Sequence, residues 1–368
     1  MTKTDQKYMK RALTLARKGL GRTAPNPAVG CVIVKNSSIV GEGWHKMAGG
    51  HHAEVHALIM AGDDAMGADV YVTLEPCCHT GKTPPCSDAL IKAGVSRVVA
   101  AMGDPNPQVN GGGLAALEHA GIKTHCGLME TEARALNRAF IKQVTTGLPF
   151  VTYKCAMTLD GKIATVTGES RWISCEDSRK YVHRMRAQCD AVMVGIDTII
   201  ADNPQLTVRH VKGKDPLRII VDTRLRTPLS VGILNDRMSG NAIIATTEAN
   251  PRLHRRYQQS GASVLVCGMI NDKVDLHDLM RQLGALGIQS ILLEGGSRLA
   301  GEALKQGLID ECVFFYAPKV IGSDGFSPLA ITGFTSMDQA ISFSDLEVRR
   351  IGTDIVVTAR PEKPCSQA

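Results

Sequence analysis

The segments His52-Ala53-Glu54 and Glu75-Pro76-Cys77-Cys78-His79-Thr80-Gly81-Lys82-Thr83-Pro84-Pro85-Cys86 decide how the first part of this chain is read. One imidazole, His52, and two thiolates, Cys77 and Cys86, can hold Zn²⁺ and leave its fourth position open to water, the pattern of a catalytic centre. Zinc brings the pKa of such a water to about 7. Glu54, two residues after the histidine, is suited to take that proton and hand it to a leaving amine. The chemistry implied is hydrolytic deamination. Other readings compete with it. His52 and His56 have the i, i+4 spacing of a zincin helix, but Ala53 stands where that motif needs glutamate. A structural four-thiolate site needs a second close cysteine pair near Cys86, which the sequence lacks. Cys78 adjoins Cys77, so either thiol is a candidate ligand. The H-x-E…P-C-x-x-C pattern of nucleobase deaminases fits in its first half and departs in its second, where His79 to Pro85 separate the thiolates.

Working outward, Tyr8, Met9, Ala12, Leu13, Ala16 and Leu20 recur at helical spacing, so the chain starts with an amphipathic helix ended by Gly19 and Gly21. Val29 to Val34 and Ile39 to Gly43 read as strands of a hairpin joined by Lys35 to Ser38. A helix is expected over His52 to Gly62, a strand over Asp69 to Leu74 and a helix over Cys86 to Ala93. All three proposed ligands then lie at or near helix N-termini, where orphan N–H groups favour thiolate. Strand Ser96 to Met102, helix Gly112 to His119, strand Ile122 to Cys126 and a closing helix Thr131 to Thr145 complete an α/β domain over residues 1–145.

Gly147, Leu148 and Pro149 mark the boundary to a second α/β domain, residues 150–360, opening with the strand Phe150 to Tyr153. Strands are expected at Ala191 to Val194, Arg218 to Val221, Ala242 to Ala245, Ser263 to Val266 and Ser290 to Leu293, with helices between several of them. Later strands fall at Phe314 to Ala317, Ser342 to Glu347 and Ile355 to Ala359, before a tail, 361–368, expected to be disordered. Ile291, Leu292 and Leu293 run into Glu294, Gly295, Gly296 and Ser297 and then a helix to Lys305. A strand ending in glycines at a helix start lets backbone approach a phosphate; a plain tight turn is the competing reading. Arg171, Trp172, Arg184, Arg186 and the segment Asp202 to Arg209 add cationic and polar groups, which a solvated face also explains. Trp172 suits core packing or stacking on a cofactor ring equally well.

At 368 residues the chain accommodates two ordinary domains. Lys and Arg total 42 against 36 Asp and Glu, with 16 against 12 in residues 1–145 and 26 against 24 in the rest. So slight and spread an excess argues against a nucleic-acid surface. Aromatics at 4% also argue against the stacking platforms of a nucleic-acid editing deaminase. Eleven cysteines, an odd number, do not form a disulfide framework, and Met1 to Arg22 lacks an apolar signal core, so a cytoplasmic location is expected. No apolar run reaches the roughly 18 residues of a membrane span.

Pro25, Asn26, Pro27, Val29 and Gly30; His52, Ala53 and Glu54; Glu75 to Cys86; Lys154, Leu159, Asp160 and Gly161; Gly168 to Trp172; and Glu294, Gly295 and Gly296 together resemble the bifunctional deaminase/reductase family of riboflavin biosynthesis. The likeness spans nearly the whole chain and is most specific in the loop Pro76 to Cys86. It implies an N-terminal cytidine-deaminase-like α/β/α sandwich and a C-terminal dihydrofolate-reductase-like α/β domain, with Zn²⁺ and NADPH as cofactors. The implied substrate is the phosphorylated 2,5-diamino-6-(5-phosphoribosylamino)pyrimidin-4(3H)-one, deaminated and then reduced from ribosyl to ribityl by a homo-oligomer, dimer or tetramer. By motif, His52, Cys77 and Cys86 match the zinc ligands and Glu54 the proton carrier, with Asn26, His45, His79 and Lys82 in segments that hold the pyrimidine and its phosphate. The resemblance places Ala156, Trp172, Thr198, Asp202, Thr223 and the run Gly296, Ser297, Arg298, Leu299, Ala300, Gly301 and Glu302 at NADPH. It places Ser170, Arg186, Leu206, Arg209 and Glu294 at the substrate. Lys154 and Asp160 are candidate acid or base for the reduction, a turn role for Asp160 being the alternative. Cys78 and Thr158 depart from the family pattern without removing a proposed ligand. A non-catalytic zinc module joined to a nucleotide-sensing domain is the rival from another class.

Overall fold

A computed structural model describes residues 1–79, 84–106, 110–235 and 241–362. The chain divides into two units, Met1–Leu148 and Pro149–Ala368. The first is built from α1 (Lys3–Ala16), β1 (Gly30–Lys35), β2 (Ser38–Trp44), α2 (Ala53–Ala61), β3 (Asp69–Val72), α3 (Cys86–Lys92), β4 (Arg97–Ala100), α4 (Gly112–His119), β5 (Lys123–Cys126), α5 (Glu130–Leu136) and α6 (Arg138–Thr146). Its sheet runs β2-β1-β3-β4-β5. The first pairings are antiparallel, and β3, β4 and β5 are parallel, as expected of strands joined by helices.

Three glycines set how closely helices lie on this sheet. A Cβ on Gly30 meets Ala12 O at 2.0 Å, one on Gly41 meets Ala57 O at 2.2 Å and one on Gly43 meets Ala53 O at 2.1 Å. Gly43 pairs with Cys31 across the hairpin. Because successive strand residues point to opposite faces, Gly30 seats α1 on one face while Gly41 and Gly43 seat α2 on the other. The apolar stripe read from the sequence, Tyr8, Met9, Ala12, Leu13 and Ala16, is the buried face of α1.

The single closing helix expected over Thr131 to Thr145 is two helices, α5 and α6, broken at Asn137. Asn137 is buried, and its side chain accepts from Ala28 N–H at 2.9 Å and donates to Ala28 O at 3.1 Å. A long-range peptide-like pairing therefore overrides a continuous helical pattern.

The second unit contains β6 (Phe150–Thr158), α7 (Glu176–Gln188), β7 (Ala191–Gly195), α8 (Ile196–Asp202), β8 (Leu217–Val221), α9 (Gly232–Asn235), β9 (Ala242–Thr246), α10 (Pro251–Gln259), β10 (Ser263–Val266), β11 (Met269–Ile270), β12 (Lys273–Val274), α11 (Leu276–Ala285), β13 (Ser290–Glu294), α12 (Ser297–Lys305), β14 (Glu311–Ala317), β15 (Phe343–Ile351) and β16 (Asp354–Pro361). Its large sheet has the order β10-β9-β8-β7-β13-β6-β14-β16-β15, parallel from β10 to β14, with β16 and β15 antiparallel. The central strands carry buried apolar runs, as strands covered on both faces must. Two residues expected in the tail are paired: Pro361 pairs with Phe343, and Glu362 N–H donates to Ser342 O. Residues 363–368 lie outside the described residues. Among the described residues no helix is long and apolar enough to cross a membrane.

Asp5 fastens α1 to the first sheet. Its carboxylate accepts from Thr2 N–H at 2.7 Å, Tyr71 Oη at 2.6 Å and Arg97 Nη2 at 2.9 Å. Burial pushes this carboxyl up, but the Tyr71, Thr2 and Arg97 donors outweigh it and hold it well below the carboxylate range. A depressed folded pKa contributes stability above the unfolded pKa of about 3.9 and loses it as pH falls further. Asp5→Asn is expected to cost about 2 kcal/mol in chemical denaturation near pH 7. The difference from wild type should shrink below about pH 4.

Candidate functional site

The approach of α2 to β2 positions the first half of the centre. His52 is the N-cap residue of α2 and Glu54 sits in its first turn, buried at 3% exposure. Cys86 is the first residue of α3. Cys77 lies in the loop after β3, not at a helix N-terminus as expected, and so takes its donors from elsewhere. Cys86 N–H donates to Cys77 Sγ at 3.4 Å. His52 Nδ1 is 3.2 Å from Cys86 Sγ and 3.6 Å from Cys77 Sγ. The three prospective ligand atoms all lie within 4.8 Å of one another. Cys78 is directed elsewhere, its Sγ 2.7 Å from where a Cβ on Gly112 would stand.

Electrostatics match the geometry. The Cys86 thiol hydrogen-bonded to Cys77, with His52 and the Cys86 N–H, holds the Cys77 thiol well below the usual thiol range against burial. Cys86 in turn is pushed up by sharing with Cys77 and by burial. His52 is raised by its contact with Cys77. This pair holds a proton that a divalent cation displaces, and one nitrogen with two sulfurs is a donor set that suits Zn²⁺. Burial pushes the Glu54 carboxyl up to about 7.

The centre opens on a pocket of about 350 Å³ lined by Asn26, His45 and His79 among others. Lys82 lies outside the described residues. His45 is buried, and burial pushes its pKa down. Its Nδ1 lies 3.0 Å from His51 O, which can only accept, so Nε2 is left to accept from Asn26 Nδ2 at 3.0 Å. That pairing leaves Asn26 Oδ1 as an acceptor.

The sequence reading assigned no role to Glu75, Asp104, Asn106 or Phe140, which also line this pocket. Glu75, at 3% exposure, accepts from four backbone N–H groups: Asp104 at 3.1 Å and Gly111 at 3.0 Å on Oε2, Gly113 at 3.0 Å and Leu114 at 3.2 Å on Oε1. It ties the Cys77 loop to the loop after β4 and to the start of α4. Burial pushes the Asp104 carboxyl up. One sequence signal was available: Glu75 and Asp104 are charged residues just past parallel strands, the edge where α/β sheets bind ligands.

In the second unit, Thr198, Thr223 and the run Glu294 to Gly296 lie at or just past the carboxyl ends of β7, β8 and β13. Gly295 and Gly296 have φ of 74° and 79°, and Cβ atoms there come within 3.2 and 3.4 Å of the Thr198 side chain. Within the run from Gly296 to Glu302, Ala300 and Gly301 are buried, Gly301 against Ala330, so they pack α12 rather than reach a ligand. Arg186 and Glu294, both assigned to substrate, are bidentate partners of each other at 2.6 and 2.8 Å, and Arg186 Nη1 also donates to Thr207 O. Burial pushes Glu294 up, but Arg186, with a smaller contribution from Lys154, outweighs it and keeps the carboxyl low. Leu206 has φ of 54°, and Arg209 N–H donates to His183 Nδ1 at 3.2 Å. Trp172 is 62% exposed with the Arg179 guanidinium 4.6 Å over its ring, which favours a stacking surface over a core role. The residues near it are Ser170, following a turn closed by Thr165 and Glu169, and Arg171, which donates to Asp202 O. Thr223 Oγ1 accepts from Val274 N–H at 3.4 Å, and Ala156 sits on β6 two residues beyond Lys154. Asp160 Oδ2 accepts from Ile321 and Gly322 N–H groups, the turn role anticipated as its alternative.

An imidazole, two thiols and a buried carboxyl on a five-stranded α/β sheet define a zinc-dependent deaminase, here in one chain with a second, larger α/β unit. Residues 2–102 match the cytidine and deoxycytidylate deaminase zinc-binding region, and residues 149–357 match the RibD C-terminal domain. The chain is 45% identical to the riboflavin biosynthesis protein RibD of Actinobacillus pleuropneumoniae, over 97% of this chain and 95% of that one. It is 44% identical to RibD of Escherichia coli K12, over 95% and 98%. A solved structure of Acinetobacter baumannii RibD superposes with a TM-score of 0.88 at 40% identity, covering 98% of this chain and 99% of that one. The chain belongs to the RibD family of bifunctional riboflavin biosynthesis proteins.

Glu75→Gln keeps the side chain's shape but turns one acceptor oxygen into a donor, leaving two of four N–H groups unpaired. It is expected to weaken zinc affinity at least about tenfold, measured by competition with a chromophoric chelator. Cys86→Ala is expected to abolish zinc binding in metal analysis, whereas Cys78→Ala should leave the zinc content unchanged.

Proposed function

We propose that the first unit hydrolytically removes an amino group from 2,5-diamino-6-(5-phosphoribosylamino)pyrimidin-4(3H)-one to give 5-amino-6-(5-phosphoribosylamino)uracil, and that the second reduces the ribosyl group of that product to ribityl with NADPH. The observation that carries this reading is the convergence of His52, Cys77 and Cys86 beside buried Glu54 at the floor of a pocket. A solved protein from Thermotoga maritima, described as a diaminohydroxyphosphoribosylaminopyrimidine deaminase/5-amino-6-(5-phosphoribosylamino)uracil reductase, shares 36% identity with a TM-score of 0.85.

Zn²⁺ held by His52, Cys77 and Cys86 would supply a water acidified to a pKa of about 7. Glu54, with its own carboxyl raised to about 7 by burial, can hold or release a proton near neutral pH. It takes one from the water and returns it to the departing amine. Asn26, oriented through neutral His45, offers Oδ1 to an N–H of the pyrimidine. His79, on the pocket wall, is suited to the ribosyl phosphate side of the substrate.

NADPH, when bound, would supply a hydride for C1′ of the ring-opened ribosylamine. Arg186, immobilised by Glu294, and Arg209 hold the substrate phosphate through their remaining donors. Lys154, across from Glu294 on β6, is the better proton donor to the reacting nitrogen, because the Asp160 carboxylate is engaged by the 321–322 backbone. The reading includes a homo-oligomer: β15 ends the large sheet and exposes Leu346 and Val348, an apolar edge that association covers.

Product mass spectrometry tests the assignment. Zinc-loaded wild type should yield deaminated product without NADPH, and deaminated, reduced product with it. Glu54→Gln should retain zinc and lose ammonia release by at least about 10²-fold. It should still reduce pre-formed 5-amino-6-(5-phosphoribosylamino)uracil. Undiminished ammonia release from this variant would remove Glu54 from the proton-carrying role.

A further inference from the structure

We propose that Arg226 and Arg298, brought together on Asp197, select NADPH over NADH by receiving the 2′-phosphate of the adenosine ribose; this rests on the NADPH reading of the second unit. Asp197 and Arg298 sit in the first turns of α8 and α12, and Arg226 lies in the loop after β8. Asp197 follows β7, Arg226 follows β8 and Arg298 follows β13. These strands are neighbours in the order β8-β7-β13 and run parallel, so their carboxyl ends open on the same crevice. In sheets of this kind that crevice is where nucleotides bind.

Arg226 Nη2 lies 3.0 Å from Asp197 Oδ1, and Arg298 Nη1 lies 3.5 Å from Asp197 Oδ2. The next residue after Asp197 is Thr198, whose side chain packs against the positive-φ pair Gly295 and Gly296. The cluster therefore adjoins the glycine turn at the start of α12, where backbone can approach a pyrophosphate. An acidic residue standing alone near such a turn favours the free 2′-hydroxyl of NADH and repels a phosphate, whereas arginine accommodates the phosphate. Two guanidinium groups on one carboxylate reverse the acid's preference, leaving one net positive charge and forks from two sides.

Stability does not account for the arrangement. The side chains of Arg226, Asp197 and Arg298 are 52%, 54% and 85% exposed, and ion pairs this open contribute little to folding. Exposure also keeps both arginines reachable by a ligand and makes their replacement compatible with a folded chain.

The test is direct titration of full-length wild type, Arg226→Ala, Arg298→Ala and the double variant with NADPH and with NADH, read from the fluorescence of the bound coenzyme at low and high salt. Each single replacement is expected to weaken NADPH about tenfold and the double by about a hundredfold, while NADH affinity stays within about twofold. The NADPH preference of wild type should also fall as salt rises. Equal weakening of both coenzymes, or NADPH affinity that ignores both arginines, overturns the proposal while leaving the NADPH reading intact. A wild-type chain that binds neither coenzyme overturns that reading as well.

Discussion

The deaminase unit depends on the distance between one helix and one strand. Helix α2 lies so close to β2 that its Ala53 and Ala57 carbonyls occupy the space of the side chains missing from Gly43 and Gly41. An alanine at either glycine places its Cβ inside the van der Waals envelope of a peptide oxygen, and neither main chain can yield without moving the other. Since His52 caps this helix and Glu54 occupies its first turn, the imidazole and the buried carboxyl inherit their positions from that contact. The thiols arrive independently, one from the loop after β3 and one at the start of α3. The centre is thus a meeting of three locally determined pieces on one sheet.

Glu75 supplies what that meeting needs on the cysteine side. A loop rich in glycine, proline and polar residues has little apolar surface with which to hold itself in place. Four N–H groups converging on one buried carboxylate do the work that packing does elsewhere. Asn137 plays a similar part for the 25–29 segment, matching the N–H and C=O of Ala28 with its own amide. In both places a side chain imitates a neighbouring strand.

The alternation of strands and helices was legible because it is written in local periods: two for the half-buried strands, 3.6 for α1, and continuous apolar runs for β7, β8 and β13. The metal ligands were legible because their spacing is itself chemical. What could not be read depends on residues far apart in sequence. Nothing near Asn137 announces that its amide will pair with Ala28 and end a helix. Arg186 and Glu294 were both recognised as important, yet their bond to each other joins positions separated by 108 residues. Glu75 carries a local hint, a charge at the end of a buried strand, but its four partners come from segments that only the folded sheet brings together. The loop geometry that keeps Cys77 away from a helix start belongs to the same class, since it follows from where the chain must go after β3.

The pairing of Asn137 with Ala28 also bears on how the first unit is made. The pocket wall formed by Pro25, Asn26, Pro27 and Val29 is buckled by a residue that leaves the ribosome more than a hundred positions later, and Phe140 from the same terminal stretch forms another part of the wall. The five strands, the glycine contacts, all three metal ligands and the backbone partners of Glu75 are complete by residue 126. A nascent chain can therefore assemble the zinc centre before it owns a closed substrate chamber. Metal capture and chamber closure are separable stages of its biogenesis, the second waiting on the last helix of the unit.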